Sequence, residues 1–278
     1  MRRSGPITLS LPPFAGVTRW LILANAAVFF GLLLLHWLSP GLDGVLLNHL
    51  ILEPLAVMRG EVWQLATYSF VNMGLLGIIF ALLTLWFAGS LLEGACGGRW
   101  VAELYGTSVV GGAVIATALS FAHIPFLRPD VAGAGAWGGV FGLLMGIAVL
   151  FGDQEFLLWF VVRLKAKYMV AIYILIAMAQ LLKDADSFGA LLQLSGALCG
   201  YLFVRFAPRR GLAFGMSERY FGLRNGYYRW KRRRAARKFE VYMRKQNREV
   251  HFDKDGRYVD PDDARHGHKD PNDKRWMN

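Results

Sequence analysis

Charge is what most of this sequence does without. Residues 1–206 hold only 11 Lys/Arg and 10 Asp/Glu. Across all 278 residues, 18% are charged and 55% hydrophobic, whereas soluble domains run nearer a quarter charged. A water-soluble globular domain is excluded on that ground. Cysteine is also scarce: Cys96 and Cys199 are the only two. Two thiols support neither a disulfide framework nor a zinc site, and both read as small packing residues. Nor is there a cluster of metal ligands. His266 and His268 stand without companions. Asp253-Lys-Asp-Gly256 resembles a calcium loop only until its register is set. With Gly256 at the invariant glycine, His251 falls on the first ligand position and Asp262 where the bidentate Glu belongs. A turn is the better reading, and no metal or cofactor is expected. The first apolar run begins late and is too long for a signal-peptide core, so no cleavage is expected.

What the chain has instead is long apolar runs. A helix needs about 20 residues to cross a hydrocarbon layer of about 30 Å. Six runs are read as spans: Trp20–Leu38, Leu65–Leu91, Val101–Ala122, Ala136–Phe151, Tyr168–Leu182 and Phe188–Phe206. The fourth is short, which local thinning or helix association accommodates. Trp20 and Trp37 bracket the first span as interfacial anchors do. Residues 39–64 are too apolar for a free aqueous loop, and part of them is expected in the interface. Asp153–Lys167 is amphipathic. An even number of spans puts both ends on one side. Most basic residues outside the spans lie in the amino end, the Arg99 turn, the Arg163–Lys167 loop and the tail, so both termini are expected to be cytoplasmic. The absence of a signal peptide and this bias fit a bacterial inner membrane.

The expected organisation is a cytoplasmic start over 1–19, a six-span membrane domain over 20–206, a basic juxtamembrane helix over 207–250 and a disordered segment over 251–278. Residues 207–278 carry 20 Lys/Arg against 10 Asp/Glu. Within them Tyr220, Phe221, Tyr227, Tyr228 and Trp230 precede Lys231-Arg-Arg-Arg234, and Ala236, Phe239 and Met243 share one helical face. Anionic lipid is the expected partner, each basic residue adding about 1 kcal/mol near the leaflet. A solvated charged helix competes with this reading. Nucleic acid is the weaker alternative, because juxtamembrane basic clusters mostly face lipid.

The fourth span carries the most specific signal. Gly138, Gly142 and Gly146 recur every fourth residue, giving one flat helical face that a second backbone can approach closely. Around them, Gly135-Ala136-Trp137-Gly138-Gly139-Val140-Phe141-Gly142-Leu143-Leu144 resembles the G-A-S-G-A-V-F-G-L-L motif of the rhomboid intramembrane serine proteases. Further likenesses extend across roughly residues 20–206. Glu61-Val-Trp63-Gln64-Leu65-Ala-Thr67-Tyr68-Ser-Phe70 resembles the family's E-x-W-R-L-x-T-Y-x-F. Leu85 to Glu93, then Gly98-Arg99 through Tyr105, resemble the end of the second span and the turn after it, with Glu93 and Arg99 at that turn. Leu192-Gln193-Leu194-Ser195-Gly196-Ala-Leu-Cys-Gly200 resembles A-H-x-x-G-x-x-x-G and keeps both glycines, Gly196 and Gly200.

The resemblance implies an all-α, rhomboid-like six-helix transmembrane bundle with a water-filled cavity. It implies a serine–histidine dyad on spans four and six, oxyanion support from span two, and a transmembrane helix as substrate. The residues that would act are missing. Trp137 stands at the serine position and Gln193 at the histidine position. Asn72, Gly77 and Ala81 stand where the family has H-x-x-x-x-H-x-x-x-N. An indole is no nucleophile and an amide is no base. Removing serine or histidine alone costs a factor on the order of 10⁶ in a serine protease. Relocated dyads are poorly served: Ser195 points away from Gln193, the partner of His36, Ser39, precedes Pro40 and so falls outside the helix, and a pair of His123 with Ser120 would also need an aligned oxyanion site. Trp137 is expected to fill part of the gorge, its N–H directed to Gln193 or Asn72. Three functions compete. The first is a catalytically inert protein that binds transmembrane helices of client proteins. The second is an intramembrane serine endopeptidase with relocated groups. The third is a conduit, for which mid-span charges or broken helices are wanting.

Overall fold

In a computed structural model the described residues are 13–39, 41–122, 127–158, 162–183, 187–207, 212–245, 250–252 and 258–259. The chain forms two compact units, Met1–Leu212 and Ala213–Asn278. In the first, α1 (Gly16–Leu38) is followed by the short helices α2 (Leu42–Leu50), α3 (Pro54–Met58) and α4 (Gln64–Thr67) and a 3₁₀ turn, Tyr68–Phe70. Then come α5 (Leu75–Cys96), α6 (Gly98–Ser120), α7 (Trp137–Leu150), a hairpin of β1 (Glu155–Leu158) and β2 (Val162–Lys165), α8 (Ala166–Leu182) and α9 (Ser187–Phe206). Among the described residues four helices, α1, α5, α6 and α9, are long and apolar enough to cross a membrane; α7 and α8 are shorter apolar helices.

The second apolar run does not begin a helix at Leu65. The chain coils through α4 and the 3₁₀ turn, breaks at residues 71–74, and starts α5 only at Leu75. Gly74 explains the break: its φ of +84° is a conformation that side chains with a Cβ rarely adopt. Gly97, at φ +87°, turns the chain from α5 into α6. The amphipathic stretch after Asp153 is an antiparallel hairpin with Glu155 opposite Lys165. The alternation Val162-Arg163-Leu164-Lys165 has the period of a strand, which the apolar run before it obscures. Lys167 Nζ donates to Asp153 Oδ1 at 2.8 Å across the hairpin's base.

Helix α7 sits at the centre, with Val140, Leu143, Leu144 and Ile147 buried. It meets α9 backbone to backbone. A Cβ on Gly200 would lie 2.6 Å from Gly142 Cα, and one on Gly196 would lie 2.8 Å from the Gly138 carbonyl carbon. At the same residue of α9, a Cβ on Gly112 of α6 would lie 2.9 Å from Gly196 N. Three helices therefore share one seam where only glycine fits. Gly146 faces the side chains of Leu104 and Leu92.

Glu93 lies within α5, three residues before its end, and acts on another helix. Its carboxylate accepts the backbone N–H groups of Val17 and Thr18 at 2.8 and 3.0 Å, and the Thr18 hydroxyl at 2.7 Å. It caps the start of α1, whose own N-cap residue, Ala15, has no side-chain acceptor. Thr18 in turn packs where a side chain on Gly89 would otherwise stand. Arg99 is exposed and pairs with Glu103 one turn on, Nε to Oε1 at 3.2 Å.

The second unit contains most of α10 (Leu212–Lys245) and a small hairpin, β3 (His251–Phe252) with β4 (Tyr258–Val259). Those four residues were expected to be disordered. Pairing is local, and the rings of Phe239, Phe252 and Tyr258 stack edge to face, with centroids 6.2 Å apart in both contacts. Asp253–Gly256, expected to form a turn, lies outside the described residues, as do Asp262, His266 and His268.

Candidate functional site

The resemblance points to the start of α7, and a cavity of about 520 Å³ lies there. Volumes of roughly 300–1,000 Å³ are usual for binding sites. Trp137 and Phe141 of α7, Gln193 of α9 and Gly77 of α5 line it, with Asn72 and Met73 from the break before α5. Tyr173, Ile176 and Gln180 of α8 form the facing wall, and Ala132 to Gly135 the rim. Ala81 is fully buried in the core and does not reach it.

The rim is held by main-chain bonds. Leu52 and Gly133 exchange N–H···O bonds at 2.9 and 2.8 Å, and Gly135 N–H donates to the Tyr68 carbonyl at 2.9 Å. The segment that precedes them explains the apolar stretch after α1. Gln64 is fully buried: its Oε1 accepts Glu53 N–H at 2.9 Å, while its Nε2 donates to Glu61 at 2.9 Å and to the Asn48 carbonyl at 3.3 Å. Trp63 Nε1 donates to the His49 carbonyl and Thr67 Oγ1 to the Leu50 carbonyl, both at 2.9 Å. Tyr68 crosses the core to donate to the Val109 carbonyl at 3.1 Å. The Trp, Gln and Thr of that motif thus pin residues 48–53, and its Tyr ties the motif to α6.

Asn72 is a strut. Its Nδ2 donates to Asn25 Oδ1 at 3.0 Å, and its Oδ1 accepts Ala136 N–H at 3.2 Å, one residue before Trp137. Asn25, fully buried on α1, donates to its own Leu21 carbonyl at 2.9 Å. A chain of amides thereby ties α1, the α5 break and the entry to α7. With the amide so engaged, the expected bond from the Trp137 N–H to Asn72 or Gln193 is not formed among the described residues. The half-buried indole packs edge-on against Phe141, centroids 6.4 Å apart, and Phe141 against Tyr173 at 6.3 Å. Trp137 thus forms part of the cavity wall.

Chemically the lining is poor in reactivity. Among the described residues it holds three amides, a phenol and an indole, and no Ser, Thr, Cys, His, Asp, Glu or Lys. The relocated candidates lie elsewhere. Ser195 is buried. Ser120 is buried and donates to the Thr117 carbonyl at 2.7 Å. His36 is 2.6 Å from Asp43 Oδ2. His123 lies outside the described residues. Among the described residues no group of three or more His, Cys, Asp or Glu is placed to hold a metal ion.

Asn25, Tyr173 and Gln180 take part in this region and were not singled out from the sequence. Asn25 and Gln180 carried a usable signal: a lone amide within an apolar run is expensive in lipid and persists for a purpose.

Comparison with known proteins places this geometry. Residues 22–219 match a family described as eukaryotic integral membrane proteins, DUF1751. The chain is also 29% identical over 153 residues to Rhomboid-like protein 19 of Arabidopsis thaliana, an alignment covering 53% of this chain and 49% of that protein. The chain thus spans about half the length of the relative it matches. The family's description is of eukaryotic proteins and lends nothing to a bacterial inner membrane; the positive-inside rule operates in either setting. With most of its helical bundle inside the family's bounds and a rhomboid-like relative aligned across half its length, this protein is a rhomboid-like integral membrane protein and belongs to the DUF1751 family.

Proposed function

We propose that this protein holds transmembrane segments of other membrane proteins at the cavity beside Trp137 and does not cut them. One observation carries the reading: a cavity lies at these positions, and its described lining residues include no Ser, Thr, Cys, His, Asp, Glu or Lys. A serine-hydrolase site without its nucleophile and base cannot split the difficult step in two. What remains is a recess with apolar walls and three amides, suited to a helix end whose last carbonyls or N–H groups need partners. The flanking helices favour an apolar visitor. Leu76, Ile79 and Leu83 of α5 and Ile172, Leu175 and Ile176 of α8 are exposed.

In this reading six helices cross the membrane. The 14-residue α7, about 21 Å long, is enclosed by α5, α6 and α9, so its shortness costs little. Both termini then share the cytoplasmic side with the basic tail.

The test uses the full chain in lipid nanodiscs with a fluorophore on Gly77→Cys in a background lacking Cys96 and Cys199. Nothing lies within 4 Å of a Cβ at Gly77, so the site tolerates the label. Single-span peptides carrying a quencher should quench it saturably and be recovered intact. A label at exposed Leu34 should not respond in the same way. Equal quenching at both sites would reject a specific pocket. Peptide scission abolished by one substitution in this chain would instead establish a protease.

A further inference from the structure

The apolar stripe of α10 is the surface that sequence alone would lay on a membrane, and part of it is already covered. Ala236 is buried, Met243 half-buried, and Phe239, itself still exposed, meets Phe252 of the hairpin edge to face. Arg232, Ala236, Phe239, Met243, Phe252 and Tyr258 line the groove between helix and hairpin. The opposite face is built differently. At 100° per residue, Tyr227, Trp230, Lys231, Arg234, Lys238, Val241 and Lys245 fall on the side away from Ala236. All are exposed. Tyr227 and Trp230 stack at 6.2 Å, and the Arg234 guanidinium lies 5.4 Å from the Trp230 ring centre.

We propose that this outer face, and not the Ala236 stripe, docks on the anionic lipid surface of the membrane that holds α1 to α9. Charge complementarity names the occupant: four cations surround a small aromatic and apolar strip. Such a face sinks its rings to headgroup depth and keeps its ammonium and guanidinium groups among the phosphates. The chain itself supplies proximity, since five residues separate Phe206 of α9 from Leu212 of α10. The hairpin side already takes up Ala236 and part of Met243, so docking does not require that stripe to insert.

The experiment uses the full chain in nanodiscs of phosphatidylcholine with or without 30% phosphatidylglycerol (about one anionic lipid in three), spin-labelled at Val241→Cys or Met243→Cys without Cys96 and Cys199. With the anionic lipid, the label at 241 should reach headgroup depth, and that at 243 should stay shielded from both oxygen and polar relaxants. In pure phosphatidylcholine the label at 241 should return to water. Each of Lys231→Gln, Arg234→Gln and Lys238→Gln should lower the bound-to-free ratio about fivefold. Arg232→Gln, on the hairpin side, should lower it less. Immersion at 243 in place of 241 would overturn the proposal, as would water exposure at 241 in both lipids. Protection of 241 by added RNA with no response to lipid would overturn it in favour of nucleic acid.

Discussion

Gly196→Ala is the most informative single change in the bundle. A methyl group there would meet the Gly138 carbonyl oxygen, with the carbonyl carbon at 2.8 Å, whereas ordinary contact begins near 3.4 Å. The obstacle is backbone and cannot rotate away. Helix α9 must retreat from α7 by roughly half an ångström or more, and a gap of about 0.5–1 Å forfeits a quarter to a half of each dispersion contact. Helix α6 approaches the same residue through Gly112, so a shift of α9 disturbs a second close contact. Overpacking of this kind costs about 1–3 kcal/mol, offset by about 0.5–1 kcal/mol from alanine's better helix propensity. A net loss of up to about 2.5 kcal/mol follows. Gly77→Ala is the control, with the same propensity gain and nothing within 4 Å. Reversible unfolding in mixed micelles, with steric trapping as readout, should rank Gly77→Ala at or above the natural protein and Gly196→Ala below it. Equal stability of the two variants would refute a seam closed to any side chain.

Replacing Glu93 by Ala strips three hydrogen bonds from the start of α1 and should cost about 1–2 kcal/mol, with Glu93→Gln milder; hydrogen exchange at residues 16–20 would report it. Asn72→Leu leaves the buried Asn25 oxygen without its donor and should cost about 1–3 kcal/mol, with faster proteolysis of residues 132–136 as a second readout. The pair of His36 with Asp43 predicts a pH effect. The hydrogen bond from His36, helped by Gly41 N–H, holds the Asp43 carboxyl below its usual range. A lowered carboxylate adds stability above its unfolded pKa of about 3.9 and loses it as pH falls through the folded value. Exchange in α2 should therefore quicken below about pH 4, and Asp43→Asn should flatten that response.

Much of the membrane unit was legible because lipid imposes strong patterns. Long apolar runs marked α1, α5, α6 and α9, and four-residue glycine spacing marked the α7 and α9 faces that now form one seam. Where the reading slipped, one local conformation overrode a continuous apolar pattern. Hydropathy runs unbroken from Leu65, but Gly74 at positive φ ends one segment and begins another. In the same way Val162 to Lys165 alternates as a strand inside a stretch whose composition is apolar. The tail's stripe of Ala236, Phe239 and Met243 was found correctly as a face. Its partner was not legible, because four residues of a hairpin carry no periodicity to read.

The site was legible by position and less so by chemistry. Trp137, Gln193, Asn72 and Gly77 converge on one cavity, whereas Ala81 belongs to the core. The side chain of Asn72 matters more for what it braces than for what it could offer a substrate. It spends its donor on Asn25 and its acceptor on Ala136. Reinstating a serine at 137 and a histidine at 193 would therefore not rebuild a hydrolase. The oxyanion would meet no side-chain donor at Gly77, and removing one such donor typically costs about 10²–10³ in rate. The double variant Trp137→Ser with Gln193→His should remain inert toward membrane-embedded peptides and unlabelled by a fluorophosphonate. Labelling at position 137 would show that the donors needed for catalysis persist in the cavity, and that only two side chains separate this protein from an enzyme.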